Sequence, residues 1–331
     1  MISRLTYYIS NSTDPYENIA TEEYLTYNAA PDELVFFLWQ NANTVVIGRN
    51  QNAWKECRVT ELEADGGKLA RRLSGGGAVY HDLGNLNFTF CMRKENVDLP
   101  RQMSVISSAA ASFGLDAKCS GRNDATIDGR KFSGNAFFDS MGYYYHHGTI
   151  LISVDAAALA KYLSPSKEKL VSKGVKSVHS RVVNLADLCN DITPLKMESA
   201  LIRAIEDVYN VKSEVIDTSR LDTARIRESQ RKFSSWQWKY GQTIPFTDSI
   251  SRRFSWGEFE LSMKVNSGII EEALFSTDCL DANWFCDIGT KLRGCKYKAA
   301  DICSALKAEM AKRSVPGSVQ SELIDVIYRS I

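Results

Sequence analysis

This chain of 331 residues has no excess charge of either sign: Lys and Arg total 40, Asp and Glu total 40, and the formal net charge is zero. A broad nucleic-acid or membrane-surface footprint needs a basic excess, so neither is expected, although a local basic site stays open. Long apolar runs are missing as well; no stretch approaches the roughly 20 apolar residues of a membrane span. The opening residues, MISRLTYYISNSTDPYENIA, carry neither a signal-peptide core nor an arginine-rich transit pattern. The expectation is a soluble, cytoplasmic protein that binds no nucleic acid and no membrane. The eight cysteines include no CxxC pair and make no metal box with the four histidines. In a chain of this length they read as scattered reduced thiols. No internal repeat or low-complexity tract is visible.

What is present is an ordinary globular composition, long enough for one to three domains. Asp14-Pro15 marks a turn into a helix over 16–28, where Ile19, Ala20, Tyr24 and Tyr27 share a face. The apolar run 34–39 and the segment 44–48 read as strands, and 53–65 reads as a helix ended by Gly66-Gly67. Strands are expected at 68–72, 85–92 and 148–154, and helices at 102–113 and 156–163. Asp128-Gly129 signals a hairpin turn. Strands and helices without a regular βαβ period predict an α+β fold around a mixed or antiparallel sheet. The pattern changes near residue 240. Beyond it, alternating Phe259, Leu261, Met263 and Val265 lead through Asn266-Ser267-Gly268 into a return strand, followed by helices near 283–292, 300–312 and 321–330. The expected organisation is a large domain over 1–247 and a small α/β domain over 248–331.

Four stretches can carry chemistry. In RRLSGGGAVYHD (residues 71–82), three glycines stand between two arginines and a His-Asp pair. A linker would be flanked by Ser and Pro, a phosphate loop needs a following Lys-Ser/Thr, and the glycine spacing is wrong for a dinucleotide fingerprint. Two readings remain: a loop whose bare backbone approaches an anionic or carbonyl-bearing ligand, with Arg71 and Arg72 as cations, or a tight sheet corner with solvent-facing arginines. In GRND (121–124) and GRKFSGNA (129–136), an aspartate and a lysine meet across the expected hairpin. Lys131, set among small residues, can approach a reacting centre. His146 and His147 open a strand, so one faces a site and the other packs or faces solvent. Lys173–Val182 is a basic segment that reads either as a closing loop or as a solvated turn. Trp236-Gln237-Trp238 reads as a core anchor.

Taken in order, RRLSGGGAVYHDLGNLNF, GRND, GRKFSGNA, HHGTIL and KGVKSVHSRVVNL resemble the lipoate-protein ligase A family of the bacterial type. So do FLW followed by NTVVIGRNQNAWKEC, SSWQWKYGQTIPF and LRGCKY. The resemblance implies a large catalytic domain akin to biotin protein ligase and a small C-terminal accessory domain. It implies a two-step reaction: lipoate and ATP, with magnesium, give lipoyl-adenylate and pyrophosphate, and the lipoyl group then passes to a lysine of an apo lipoyl domain. Such acceptors are 2-oxoacid dehydrogenase acyltransferases or the glycine-cleavage H protein. A monomer is expected. Lys131 matches the family's central lysine. Arg72, Gly77, Ala78, Val79, Tyr80, Asn123, Asp124, Lys173, Ser177 and Arg181 match the ATP and adenylate side, with Asp124 as a magnesium ligand. Trp39, Arg71, Ser74, Gly75, Gly76, His81, Ser133, Gly134, His147 and Gly148 match the lipoate side. The competing readings are an ATP-independent octanoyl or lipoyl transferase with a cysteine nucleophile, a biotin ligase, and a noncatalytic lipoate- or nucleotide-binding protein.

Overall fold

The computed structural model describes residues 2–120, 124–163, 182–240, 248–266 and 268–331. These residues form two compact units that do not follow the chain in order. One comprises Met1–Val46, Cys57–Ala70 and Val79–Ser235; the other comprises Ile47–Glu56, Arg71–Ala78 and Trp236–Ile331. The glycine run and the segment after residue 46 thus group with the C-terminal part of the chain.

The fold is α+β. The first unit is built on a mixed sheet containing β1 (Arg4–Ile9), β2 (Glu33–Trp39), β6 (Asn85–Arg93), β7 (Lys118–Ser120), β8 (Asp124–Ile127), β9 (Arg130–Ser140), β10 (Tyr143–Leu151) and β11 (Ser213–Val215). Their order is β11-β1-β2-β6-β10-β9-β8-β7, with β1 parallel to β11 and β2 and the rest antiparallel. A smaller sheet joins β3 (Thr44–Ile47), β4 (Lys68–Arg71) and β5 (Val79–His81) in the order β4-β3-β5. All seven residues of β2 are buried, as its unbroken apolar run requires of a strand covered on both faces. Leu34, Phe36 and Leu38 pack with Phe88, Phe90, Val105, Ile106, Met197 and Leu201 under the helices Leu99–Ala111 and Pro194–Tyr209. The helix Pro15–Asn28 contacts β2, β6 and β10. It starts where the Asp14 side chain accepts from the Tyr16 N–H and Pro15 takes the first turn.

Several local expectations are revised. The helix expected over 53–65 is two short helices, Ala53–Glu56 and Val59–Ala64, because Cys57 leaves the helix to bridge Leu163. The helix Pro194–Tyr209, capped by Thr193 and ended by Asn210 in the left-handed conformation, was not among the sequence-derived elements. In the second unit the expected hairpin is β13 (Gly257–Asn266) with β14 (Ile269–Thr277), but a third strand, β12 (Asp248–Phe254), pairs with β13. The helix expected near 283–292 is only a short 3-10 turn, Ile288–Leu292. The helices Ala299–Lys312 and Gly317–Ser330 are present and share a core with this sheet through Leu306, Met310, Leu323, Ile327, Phe259 and Leu261.

The join between Pro194–Tyr209 and β11 gives a pH-dependent expectation. Glu206 pairs with Lys212 at 2.8 Å and accepts from the Ser213 N–H at 3.0 Å and hydroxyl at 2.7 Å. Lys212 first, then Ser213, pull its carboxyl down from 4.5 to about 2. A carboxylate depressed in the folded state stabilises the fold above its unfolded pKa, and that contribution is lost as pH falls through its folded pKa. Thermal melts of Glu206→Gln should therefore lose stability less steeply than wild type between pH 4.5 and about 2. Parallel slopes would remove this ion pair from the acid response.

Candidate active site

Lys131 owes its position to a tight hairpin. Asp128 and Gly129 both have positive φ (51° and 73°), the backbone that a two-residue turn matched to strand twist demands. The register of β8 against β9 shifts between Ala125 and Thr126, which sets Asp124 opposite Gly134 and Thr126 opposite Lys131. The Lys131 ammonium then lies 2.6 Å from Asp124 Oδ1, both side chains being about a third exposed (36% and 38%). The Val183 N–H anchors the Lys131 carbonyl at 3.0 Å. The lysine runs across bare backbone: a Cβ on Gly134 would stand 2.8 Å from its Nζ and 2.9 Å from its Cε. The adjoining Ser133 is fully buried and its hydroxyl has no hydrogen-bond partner among the described residues.

Between the sheet and the helix Pro15–Asn28 lies a buried polar chain. The Trp39 indole N–H donates to the Thr89 hydroxyl at 3.1 Å, and that hydroxyl donates to Glu22 Oε1 at 2.7 Å. His147, opposite Thr89 in the β10–β6 register, brings Nδ1 to the same oxygen at 2.8 Å. Glu22 is fully buried, and its other oxygen has no hydrogen-bond partner among the described residues. A buried polar atom left in this state calls for a ligand group or a functional reason. Trp39 stacks on Phe37 and meets the His81 ring edge-on at 6.1 Å, while His81 Nδ1 lies 3.2 Å from the Asn41 amide. His146 turns to the other face, as expected of its place in the strand, and is described further below.

The glycine run lies in the second unit and is held by its own arginines. Neither faces solvent: Arg71 is 1% exposed and Arg72 6%, so the reading as a corner with solvent-facing arginines does not hold. The Arg71 guanidinium donates to the carbonyls of Gly48, Arg49, Gln51, Trp238 and Lys239 at 2.6–3.3 Å. Burial and, secondarily, Arg49 lower its pKa to about 9, which leaves it charged at neutral pH. Arg72 donates to the Ser74 hydroxyl and to the carbonyls of Gly75 and Gly77. Gly76 has φ 88° and donates its N–H to the Cys279 carbonyl at 2.9 Å. A Cβ on Gly75 would stand 2.3 Å from that same oxygen, and one on Gly48 would stand 2.2 Å from the Gly76 oxygen. Gly77 has open space where a Cβ would go. Tyr80 is buried and packs on Tyr162 at 5.6 Å. Trp238 is no plain core anchor: its indole donates to the Arg71 carbonyl and its ring carries the Arg49 guanidinium at 4.1 Å.

The structure therefore brings together Lys131, Asp124, Ser133 and Gly134 in one group, and Trp39, His81 and His147 in another. Asn123, Lys173, Ser177 and Arg181 lie outside the described residues. Sequence reasoning missed Glu22 and Thr89, although Glu22 left a trace. It falls three residues from both Ile19 and Leu25 on the buried face of the helix, where a carboxylate needs a reason.

The description of the lipoyl protein ligase A/B catalytic domain matches residues 14–206, and that of the bacterial lipoate protein ligase C-terminus matches residues 243–327. Lipoate-protein ligase A of Bdellovibrio bacteriovorus is 36% identical over 338 residues, covering 100% of this chain and 99% of its own. The chain belongs to the lipoate-protein ligase A family. Among solved structures, LipL1 of P. falciparum in complex with lipoate is similar with a TM-score of 0.83 and 31% identity, covering 98% of this chain and 99% of its own. A bi-partite lipoate protein ligase from Thermoplasma acidophilum, solved in work on that ligase and its E2 lipoyl domain, aligns with a TM-score of 0.64 and 26% identity over 75% of this chain and 100% of its own.

Proposed function

We propose that this member of the family joins lipoate to ATP as lipoyl-adenylate and then passes the lipoyl group to a lysine of an apo lipoyl domain. The observation that supports the reading is the Lys131 ammonium, about a third exposed, paired with Asp124 and laid across Gly134, which has no side chain to cover it. A carboxylate that attacks an α-phosphate meets another anion. Two unit charges 4 Å apart repel by about 4 kcal/mol near a protein surface. An ammonium fixed beside both offsets that repulsion, and offsets it most where charge gathers during transfer.

Lys131 is assigned to the lipoate carboxylate, the α-phosphate and the mixed anhydride. Arg72, Gly77, Ala78, Val79, Tyr80, Asn123, Asp124, Lys173, Ser177 and Arg181 are assigned to the nucleotide. Trp39, Ser74, Gly75, Gly76, His81, Ser133, Gly134, His147 and Gly148 are assigned to the acyl chain. Arg71 acts through the loop it holds, since five backbone carbonyls already engage its guanidinium. Magnesium fits as an ion carried with the nucleotide: among the described residues no cluster of three ligating side chains exists, and Asp124 offers one carboxylate. Such an ion commonly takes one or two carboxylates and completes its shell with phosphate oxygens and water. Bound there, it would supply charge neutralisation on the phosphates.

We place the division of labour as in the sequence reading, with a catalytic part over 1–247 and an accessory part over 248–331. The glycine loop belongs to the first by sequence and to the second by its contacts. We place the protein as a monomer in a reducing cytoplasm; no disulfide joins its cysteines among the described residues. No helix among the described residues is long and apolar enough to cross a membrane. The transferase reading is the weaker one. A thioester mechanism needs a thiol pulled down towards neutrality, whereas burial pushes Cys57, Cys91 and Cys119 up.

The purified protein with lipoate, ATP and magnesium should add one lipoyl group to an apo lipoyl domain, read by intact mass. Withholding ATP should stop it. Modification that continues without ATP from an acyl-carrier-protein donor would move the chain to the transferase class.

A further inference from the structure

We propose that His146 is a positioning residue for the lysine centre: wedged between Gln102 and Asn135, it fixes the Asn135 amide and, through it, the backbone of Gly134 and Gly148 beside the Lys131 side chain. The proposal rests on the reading of Lys131 given above.

The ring is fully buried, with Nδ1 2.9 Å from Gln102 Oε1 and Nε2 2.9 Å from Asn135 Oδ1. Phe88, Phe90 and Phe137 surround it at centroid distances of 5.6, 5.4 and 5.0 Å. Burial, and then the neighbouring His147, push its pKa down to about 3, so the ring is neutral at physiological pH. A neutral imidazole has one donor and one acceptor nitrogen. Gln102 Oε1 and Asn135 Oδ1 both face the ring, so it donates to one of them, and the other amide must turn its NH2 to the second nitrogen for both contacts to be hydrogen bonds.

From Asn135 the packing runs through Gly148 to Gly134, over which the lysine side chain lies. A Cβ on Gly148 would stand 2.6 Å from Asn135 Oδ1 and 2.9 Å from the Gly134 carbonyl oxygen; one on Gly134 would stand 2.8 Å from Lys131 Nζ. The Asn135 amide and the two bare backbones thus pack closely, and the end of the Lys131 side chain lies over Gly134. Stability alone gives no reason for this polar chain. A phenylalanine at 146 would fill the same aromatic surroundings without hydrogen-bonding demands, and a half-satisfied buried network is worse than an apolar one. Gln102 comes from the helix Leu99–Ala111, so the strut ties the lysine centre to an element that carries no proposed ligand contact.

The test compares His146→Phe, His146→Gln and Asn135→Ala in lipoate-dependent ATP–pyrophosphate exchange, with Lys131→Met as reference and thermal melts of each. A misplacement of about 1 Å can cost on the order of 10²-fold in rate, so kcat in His146→Phe should fall by tens of fold or more with the KM for ATP little changed. His146→Gln, which can still hydrogen-bond Asn135, should recover most of the loss. If His146→Phe does not fold, Asn135→Ala reads the same link and should show the same fall in kcat. Wild-type kcat in His146→Phe, or in Asn135→Ala where the first does not fold, would overturn the proposal; so would equal loss in His146→Gln and His146→Phe. Near-wild-type exchange in Lys131→Met would instead overturn the reading of the lysine.

Discussion

Lys131→Met is expected to lose lipoate-dependent adenylate formation by on the order of 10³-fold, the cost of removing one well-placed donor to developing charge. The fold should survive. Lys131 and Asp124 are 36% and 38% exposed, and ion pairs in that setting contribute about 0–1 kcal/mol. Methionine keeps most of the aliphatic length that crosses Gly134, so the contact is retained while the charge is removed. Leaving Asp124 without its partner should change the melting temperature little. The exchange rate and a circular-dichroism melt check both halves. Near-wild-type turnover would take Lys131 out of the chemistry, and a collapsed melt would make the loss uninformative about catalysis.

The second large effect is on stability. Arg71→Met should destabilise the unit formed by Ile47–Glu56, Arg71–Ala78 and Trp236–Ile331 by about 3–5 kcal/mol, the range for removing one partner of a buried charged network. Gly48, Arg49, Gln51, Trp238 and Lys239 all direct carbonyls to this guanidinium, and a buried acceptor stripped of its donor costs about 1–3 kcal/mol. Lysine should rescue poorly, because a single ammonium has three donors and no planar fork to reach carbonyls on several sides. The glycine loop would lose its register as well, so exchange activity should fall with stability. Urea melts of Arg71→Met and Arg71→Lys measure this. A shift below about 1 kcal/mol in both, the scale of an ordinary surface change, would show that the strut is dispensable.

Much of this site was legible because its chemistry is local. Asp128-Gly129 announces the hairpin that carries Lys131, and the small residues around the lysine announce that something must come close. The consecutive histidines announce opposite faces. What was not legible depends on distant packing. RRLSGGG shows two arginines but not that Arg71 is used up by carbonyls from residues 48–51 and 238–239, since nothing local marks a carbonyl as needing a donor. The Cys279 carbonyl that sets Gly75 and Gly76 lies two hundred residues away in sequence, in a segment with no motif. The helix expected over 53–65 has the right periodicity, but Cys57 and Arg58 are drawn off to Leu163 and Tyr162, a tertiary override of local pattern. Likewise 283–292 has helical residues but folds as a short turn around Phe285 and Ile288, which the core of the second unit claims.

A lysine centre that activates a carboxylate with ATP forms its adenylate reversibly. The most direct measurement is incorporation of labelled pyrophosphate into ATP by the wild-type protein, with and without lipoate and without any acceptor protein. Exchange should require lipoate and magnesium and be lost in Lys131→Met. Absence of exchange in the wild type, together with acyl transfer from an octanoyl-acyl-carrier protein in the absence of ATP, would contradict it.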